Sequence, residues 1–416
     1  MSTSPSSSSA PLSEDSELQE LMEQQRKNLL STLPRQRWQG SYLYKYNGFW
    51  FSTMQMPGLV EFRKHFQARD SDVLIITTPK SGTTWLKALA FALMNRNICP
   101  INQNHPLLNQ NPHTLVLHLE YPNPYDKQHP DYSFQGSRRL LGTHCPLALL
   151  PESVMNSGCK IVYLSRNIKD IFVSYWHFTN KLGSTETSFE EFFDLFCKGV
   201  SLSGPIWDHV LGYWKASLDK PQKVLFLKYE EMTQEPAFNL KHLAEFLGCP
   251  ISQEEETAGV VDEILGLCSF DHMRNLEVNK SGTMWNHSNQ VFFRNGKVGD
   301  WKNDLPSEMA ERLDQITILT SKKKQSKKLD NLKPTPKKTA RDSDHDKMMT
   351  KKNNTSKRNA NKNGPGQENG RSDAPPSAGG AGRRPGKRTG DGPVTYSEKD
   401  LAVGKAATEG YSFVPL

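Results

Sequence analysis

The sequence lacks any run of about eighteen apolar residues, and therefore any candidate for a membrane-spanning helix. Its first residues are rich in serine and have neither a basic stretch nor an apolar core, so we expect no secretory signal. The six cysteines are scattered without a C-x-x-C pair, which favours reduced thiols over a disulfide framework. No cluster of His, Cys and Asp has the spacing of a metal site, so we expect no metal. Together these absences predict a cytoplasmic protein without a membrane partner.

Charge and hydropathy divide the 416 residues into unequal parts. Residues 321–416 have no apolar periodicity and contain 22 Lys and Arg against 10 Asp and Glu. Because the whole chain has a net charge of +7, residues 1–320 carry a net charge of −5. We predict a disordered N-terminus at 1–12, one domain at 13–320, and a basic disordered tail at 321–416.

Apolar runs typical of buried strands alternate with helical patterns between residues 70 and 250. The strand-like runs lie at 73–78, 160–165 and 223–227, and a shorter one begins at 140. This alternation predicts an α/β fold in which one domain has a central, mainly parallel sheet flanked by helices. Residues 42–51 alternate weakly, as in a strand or an extended flap, and 102–138 indicate long loops.

The first of these strand-like runs leads directly into the segment PKSGTTW at residues 79–85. A loop between a buried strand and a helix directs free backbone N–H groups at one point, which favours a bound anion. Lys80 adds a full positive charge, and Gly82 lets the backbone approach the ligand closely. The segment therefore predicts a phosphate site built from Lys80, Ser81, Gly82, Thr83, Thr84 and Trp85.

Four later segments follow this loop in order: GTHCP at 142–146, RNIKDIFVSY at 166–175, KYEEM at 228–232 and FFRNGKVGDW at 292–301. With PKSGTTW, they resemble the motifs of plant cytosolic sulfotransferases. Members of that family move a sulfuryl group from 3′-phosphoadenosine 5′-phosphosulfate (PAPS) to a hydroxyl of a small molecule. The resemblance covers about residues 40–320 and implies the α/β sulfotransferase fold, which is related to that of P-loop proteins.

The resemblance implies a role for each matching residue. The loop of residues 80–85 would bind the 5′-phosphosulfate of PAPS, with Trp85 offering a ring face to the adenine. Arg166 and Ser174 would bind the 3′-phosphate, and Tyr229 would contact the adenine. The family motif R-K-G-x-x-G-D-W, which encloses the 3′-phosphate end, is matched by Arg294, Asn295 and Gly296. Asn295 stands where the family has lysine, so we expect weaker nucleotide affinity than in a lysine-bearing relative.

His144 is the predicted general base for the acceptor hydroxyl. An imidazole with a pKa of about 6.5 is mostly neutral in the cytosol and can accept a proton. In the resemblance, the segment Thr143-His144-x-Pro146 corresponds to the catalytic T-H-x-P of the family. Many animal members carry a lysine before this threonine, where the present chain has Gly142. Lys80 therefore remains as the main cation that could stabilise the leaving oxygen.

The acceptor is predicted only by its class. An aromatic, mostly apolar pocket suits a flavonoid, a steroid or a hydroxyjasmonate-like molecule. The candidate lining residues are Phe51, His118, Tyr121, Tyr132 and Trp176. The dimer motif of animal members is not matched at residues 304–307, so we expect a monomer.

Two alternatives belong to other classes of function. The lysine clusters of the tail could serve nuclear targeting or nucleic-acid binding. The enzyme domain could then be weakened, because relatives end soon after the helix that begins here near Pro306 and the tail replaces that ending. The tail lacks the interleaved aromatics that stack on bases, which argues against nucleic acid as a partner. A nucleotide kinase is the other alternative. The lysine of PKSGTTW precedes its only glycine, unlike the order in a Walker A loop.

Overall fold

The strands form three sheets within the residues that the computed structural model describes, which are 24, 26–101, 104–121, 138–183, 187–285 and 287–331. The strands are β1 (Arg35–Trp38), β2 (Ser41–Tyr46), β3 (Phe49–Ser52), β4 (Val73–Thr77), β5 (Leu140–Thr143), β6 (Lys160–Ser165), β7 (Val224–Lys228), β8 (Thr283–Met284) and β9 (His287–Ser288). Strands β4 to β7 form a parallel sheet in the order β5-β4-β6-β7. The predicted parallel sheet is thus confirmed.

Helices lie before, between and after the parallel strands and continue to residue 331. They are α1 (residues 26–32), α2 (Gln55–His65), α3 (Thr83–Asn95), α4 (Pro112–Leu115), α5 (Glu152–Asn156), α6 (Ile168–Lys181), α7 (Phe189–Cys197), α8 (Ile206–Asp219), α9 (Tyr229–Gln234), α10 (Pro236–Leu247), α11 (Gln253–Thr257), α12 (Val260–Leu267), α13 (Phe270–Asn275), α14 (Glu277–Lys280) and α15 (Ser307–Asn331). Short 3₁₀ helices lie at Pro106–Leu108, Leu147–Leu149, Asn289–Phe292 and Asp300–Asn303. None of the helices in the described ranges is apolar over a bilayer's thickness.

Both faces of the parallel sheet are buried. Successive side chains of a strand point to opposite faces, so a strand that is buried along its whole length is covered on both sides. Along β4, Leu74 and Ile76 belong to one apolar cluster, whereas Val73 and Ile75 belong to another on the opposite face. All five residues of β4 are buried. The continuous apolar sequence of this strand therefore reflects helices packed on both sides.

The strand register aligns the carboxyl ends of the parallel strands. Ile76 pairs with Thr143, Thr77 with Leu164, and Ser165 with Lys228. The chain therefore leaves β4, β5, β6 and β7 at the same edge of the sheet. Ligands of open α/β sheets bind beyond this edge.

The weakly alternating segment 42–51 forms a hairpin. β2 and β3 pair antiparallel around Asn47 and Gly48, whose φ angles are +47° and +91°. Two adjacent positive φ angles are typical of a type I′ turn, whose twist matches that of the two strands it joins. With β1 these strands make a three-stranded antiparallel sheet.

Two boundaries differ from the sequence predictions. Helix α15 continues to Asn331, past the predicted domain end at residue 320, because Lys and Gln sustain a helix without apolar periodicity. The segment predicted as long loops contains the short helix α4 and the 3₁₀ turn at Pro106–Leu108. The tail was predicted as disordered from residue 321, and its residues 321–331 belong to α15. The predicted disordered N-terminus at 1–12 and the rest of the tail, 332–416, lie outside the described residues.

Candidate active site

A cavity lies where the four parallel strands release the chain. Lys80 follows β4, His144 follows β5, Arg166 follows β6, and Tyr229 begins α9 directly after β7. The predicted site residues that line the cavity are Lys80, Gly82, Thr83, Thr84, Trp85, His144, Arg166, Ser174, Tyr229, Arg294, Asn295 and Gly296. Residues far apart in sequence are therefore brought together, as the motifs require.

Ser81 is the predicted site residue that does not line the cavity. Its side chain is fully buried, and its Oγ lies 2.5 Å from the Oγ1 of Thr78. The Ser81 hydroxyl thus joins two residues of the same loop by a hydrogen bond. A ligand contact by Ser81 stays a prediction, and its backbone belongs to the loop between β4 and α3.

Gly82 is fixed by backbone conformation and by space. It is the N-cap of α3 with a φ of +105°, a region that disfavours residues with a Cβ. A Cβ at this position would lie 2.8 Å from Cδ2 of Tyr229 and 3.0 Å from Cδ2 of Leu164. Lys80, two residues earlier, also has a positive φ of +71°. The loop is thereby wrapped tightly around the start of the helix.

Positive charge is concentrated beside this loop. Burial, together with repulsion from Arg294, Arg166 and Lys181, lowers the pKa of Lys80 to about 7. The Lys80 ammonium lies 4.0 Å from the ring centroid of Phe178. A buried ammonium that is repelled by neighbouring cations marks a place where a bound anion would be stabilised.

Arg166 is held by its neighbours while part of its guanidinium remains available. Its Cζ lies 4.3 Å from the ring centroid of Tyr229, and its Nη2 donates to the carbonyl of Lys297 at 2.7 Å. Its buried Nε has no hydrogen-bond partner among the described residues. Tyr229 in turn donates to the carbonyl of Gly296 at 2.6 Å. The ends of two strands are thus tied to the loop at 294–301.

The loop at 294–301 is organised by two carboxylates. Asp300 forms an ion pair with Arg294 at 2.5 Å and accepts from the amide of Asn295 at 2.5 Å. Asp170, fully buried on α6, accepts from the backbone N–H of Gly299 at 2.8 Å and of Trp301 at 3.0 Å. Asp170 was not predicted as a site residue, because its role depends on a loop about 130 residues away in sequence.

The orientation of His144 leaves one ring nitrogen available as a base. Its Nδ1 lies 2.7 Å from the carbonyl oxygen of Thr77, which can only accept, so Nδ1 carries the proton. The Nε2 atom therefore carries a lone pair. Burial holds the pKa of His144 well below its usual value, so the ring is neutral at pH 7.

Glu120 joins the His144 loop to a second histidine, and sequence reasoning missed it. One oxygen of this fully buried carboxylate accepts from the backbone N–H of His144 and the hydroxyl of Thr143, both at 2.6 Å. The other oxygen lies 2.8 Å from Nδ1 of His118. Burial raises the pKa of Glu120, whereas His144 and these hydrogen bonds act to lower it.

An aromatic wall extends from His144 across the cavity. Ring centroids are 4.4 Å apart for His118 and His144, 5.1 Å for His118 and Tyr121, and 5.0 Å for Tyr121 and Trp285. Phe292 continues the wall at 6.3 Å from Trp285. Such a surface suits a flat or apolar molecule.

The structure corrects the predicted acceptor lining. His118 and Tyr121 line the cavity, as expected. Phe51 lies in the apolar core, and Trp176 packs against Phe189 and Phe192 instead. The predicted lining residue Tyr132 lies outside the described residues.

Lys87 occupies the space beside Gly142. A Cβ on Gly142 would lie 2.6 Å from Cε and 2.9 Å from Nζ of Lys87. The buried ammonium donates to the carbonyl of Val116 at 2.8 Å and lies 3.3 Å from Nδ1 of His113. The space that a side chain at position 142 would take is therefore occupied by Lys87 of α3. Its ammonium supports the segment that carries His113 and His118.

These features fit a ligand with two anionic ends and a flat ring. Buried Nε atoms of Arg166 and Arg294 have no partner in the described part of the chain. Gly82 leaves room that a side chain would fill, and Trp85 packs edge-on against Tyr229 with ring centroids 5.3 Å apart. The donor set consists of cations, hydroxyls and backbone N–H groups, which suits phosphate and sulfate groups.

The chain has clear similarity to known proteins. The sulfotransferase domain family matches residues 70–333. Cytosolic sulfotransferase 5 of Arabidopsis thaliana is 46% identical over 302 residues, covering 71% of this chain and 94% of the relative. A solved Arabidopsis thaliana sulphotransferase has 39% identity and a TM-score of 0.58, covering 76% of this chain and 97% of its own. Mouse sulfotransferase SULT7A1, solved with PAP, has 28% identity and a TM-score of 0.54, covering 67% and 93%.

Proposed function

The chain belongs to the sulfotransferase family, and on that premise we propose that it moves a sulfuryl group from PAPS to a hydroxyl of a flavonoid, steroid or hydroxyjasmonate-like molecule. The observation that carries this proposal is that three cationic side chains and His144 meet in one cavity. Plant relatives named as cytosolic sulfotransferases support a cytosolic location for this chain too.

The donor is held at its two ends by different elements. PAPS, when bound, supplies the sulfuryl group and leaves as the desulfated product PAP. The backbone N–H groups of residues 80–84, at the start of α3, bind its 5′ end. Arg166, Ser174 and Arg294 bind the 3′-phosphate, and the unpaired Nε atoms of both arginines are available for it. Trp85 and Tyr229 contact the adenine.

His144 acts as the general base. Its Nε2 takes the proton of the acceptor hydroxyl while the acceptor oxygen forms a bond to sulfur. Because Nδ1 donates to the carbonyl of Thr77, the ring cannot rotate without breaking that bond. A base held in the correct tautomer in this way typically contributes about 10²- to 10⁴-fold to the rate.

Lys80 stabilises the leaving group. The bond between sulfur and the phosphate oxygen breaks as the new bond forms, and that oxygen keeps the electron pair. Lys80 lies in the loop after β4. Its ammonium neutralises the negative charge that grows on the leaving oxygen. The aromatic wall holds the acceptor on the side of His144, and a small molecule is thus the expected partner.

The experiment that tests this proposal is a transfer assay with labelled PAPS and a panel of phenols, sterols and hydroxylated fatty-acid derivatives. We expect transfer by the wild-type protein and a loss of about 10²- to 10⁴-fold in kcat for His144→Ala. The Kd of PAP should remain unchanged in this variant. The matched control is His242→Ala, which removes an exposed imidazole on α10.

Near-normal turnover by His144→Ala would refute the role of this residue. A parallel assay with ATP labelled in its γ-phosphate separates the kinase alternative, since a sulfotransferase leaves that label in ATP. Transfer from ATP but not from PAPS would refute the reaction itself.

A further inference from the structure

His118 places a second imidazole in the cavity beside the predicted base. The residue is 7% exposed, lines the cavity, and has a ring centroid 4.4 Å from that of His144. Its Nε2 is buried and has no hydrogen-bond partner among the described residues. Buried polar atoms are nearly always paired, so this atom requires an explanation.

Glu120 fixes which nitrogen of His118 is available. Its Oε2 lies 2.8 Å from Nδ1 of His118, while its Oε1 already accepts from Thr143 and from the backbone of His144. Burial raises the pKa of Glu120, but its hydrogen bonds from Thr143 and the His144 backbone favour the ionised form. The ionised Oε2 then accepts a hydrogen bond from the Nδ1–H of His118. The lone pair of His118 is therefore on Nε2.

His118 remains neutral under the conditions at which the enzyme works. Burial holds its pKa well below the usual value, and the charge of Lys87 lowers it further. Glu120 is the carboxylate in direct contact with it, and Tyr121 contributes an aromatic neighbour at 5.1 Å. The Nε2 atom is thus a hydrogen-bond acceptor and not a cation.

An unpaired Nε2 does not by itself indicate a ligand. His105 also has a buried Nε2 without a partner in the described residues, but it does not line the cavity. His118 differs because it lies in the cavity wall, next to the base, and is oriented by the same carboxylate that holds the base's backbone. One carboxylate thus sets the spacing of two imidazoles.

We infer that His118 accepts a hydrogen bond from a second hydroxyl of the acceptor, next to the hydroxyl that His144 deprotonates. The preferred acceptors are then molecules with two neighbouring hydroxyls, such as catechols and vicinal diols. This inference rests on the proposed function and narrows its substrate class. His118 is a specificity-determining residue here, while the bond-making step remains with His144.

The test compares catechol with phenol as acceptors in the full chain with saturating PAPS. In the wild type, kcat/KM should favour catechol by about tenfold or more, since one net hydrogen bond changes an equilibrium by roughly that factor. His118→Phe should lower the catechol-to-phenol ratio of kcat/KM about tenfold, apart from any loss that the two acceptors share. His118→Gln should retain part of the preference, because its side-chain oxygen can still accept.

The matched control is His105→Phe, which makes the same substitution at a buried histidine outside the cavity. Its catechol-to-phenol ratio should equal that of the wild type. Equal losses for both acceptors in His118→Phe would show a packing role and overturn the inference. No change for either acceptor would also overturn it, since Nε2 would then be satisfied by water.

Failure of this inference is distinguishable from failure of the proposed function. If the inference alone is wrong, all variants still bind PAP and sulfate phenol, and only the predicted ratios are absent. If the proposed function is wrong, neither acceptor receives label from PAPS in the wild type.

Discussion

At the scale of single residues, Gly82 is where backbone conformation and ligand access impose the same requirement. Its φ of +105° and the 2.8 Å approach of the Tyr229 ring leave no room for a Cβ. A glycine within a strand–loop–helix pattern indicates such a close approach, so the sequence alone was enough to single it out.

We predict that Gly82→Ala raises the Kd of PAP at least about tenfold, because the added Cβ must displace the Tyr229 ring or distort the loop. The control is Gly248→Ala, which has a similar positive φ of +71° but no atom within 4 Å of the added Cβ. That control should lower the free energy of unfolding by about 1 kcal/mol and leave the Kd unchanged. Calorimetric titration measures the Kd, and equal values for both variants would contradict the account of Gly82.

From the lowered pKa of Lys80 we predict that nucleotide binding depends on pH. This pKa is about 7 without ligand, so the side chain loses its charge as the pH rises through 7. A bound phosphate stabilises the charged form and raises that pKa, so binding above pH 7 takes up a proton. The Kd of PAP should therefore increase from pH 7 to 9, by at most about tenfold per pH unit.

Proton uptake is measured by titrating PAP calorimetrically in buffers of different ionisation enthalpy. Lys80→Arg provides the matched variant, since a guanidinium keeps its charge throughout this range and should flatten the pH dependence. An identical slope in the wild type and this variant would contradict the assignment to Lys80.

Other site residues could not be predicted from the sequence. Glu120 lies in a segment rich in Asn, Pro and His that carries no family motif, and its role depends on contacts with the His144 loop. His118 was predicted as a candidate lining residue, but its pairing with Glu120 was not. In the sequence, Lys87 is one polar residue within the apolar run at 86–93, and nothing there shows that it is buried against Gly142. The hydroxyl of Ser81 is hydrogen-bonded to Thr78 within the loop, a pairing that the sequence does not reveal.

At the scale of elements, α6 connects the two parts of the proposed 3′-phosphate site. Asn167 caps the helix by accepting from the N–H of Lys169 at 3.0 Å. Asp170, one turn into the helix, holds the loop at 294–301 and lies 3.7 Å from Arg166. The helix therefore sets the distance between Arg166 and Arg294.

We predict that Asp170→Asn weakens PAP binding about tenfold. An amide cannot accept from both the Gly299 and Trp301 N–H groups in the same geometry, so one buried donor loses its partner. The free energy of unfolding should also fall by about 1 to 3 kcal/mol. Asp271→Asn, at an exposed position on α13, is the control and should change neither quantity appreciably. An unchanged Kd in Asp170→Asn would show that the loop does not depend on this carboxylate.

Long, strongly patterned elements were predictable, and short ones were not. The apolar runs of β4, β6 and β7 and the patterns of α6, α8 and α10 are long enough to show their period. Residues 249–291 gave no prediction, yet they contain α11 to α14 and the β8–β9 pair. These elements have two to eight residues each, too few to reveal a period, and they depend on tertiary contacts.

At the scale of the whole molecule, the uneven charge of the chain separates the question of sulfuryl transfer from the question of nucleic-acid binding. The proposed active site lies in a part of the chain with a net negative charge, and its cations are concentrated in one cavity. The family match ends at residue 333, so the positive residues that follow play no part in that match. Nucleic-acid binding by this segment remains a prediction about residues outside the described structure.

We predict that a chain ending after Asn331 keeps its affinity for PAP and its transfer activity, because the residues that line the cavity precede α15. DNA retention by the full chain, measured against salt concentration, tests the alternative. Salt-dependent retention that disappears on truncation would support the nucleic-acid alternative. Loss of PAP binding on truncation would show instead that the later residues complete the site.

The central claim is that one nucleotide with phosphates at both ends lies across the tips of the parallel strands. Calorimetric titration of the full chain with PAP tests it most directly. We expect one site per chain, with affinity reduced at least about tenfold by Arg166→Ala, since this removes a paired guanidinium contact. The absence of binding heat at several temperatures, with protein shown to be folded, would contradict the claim.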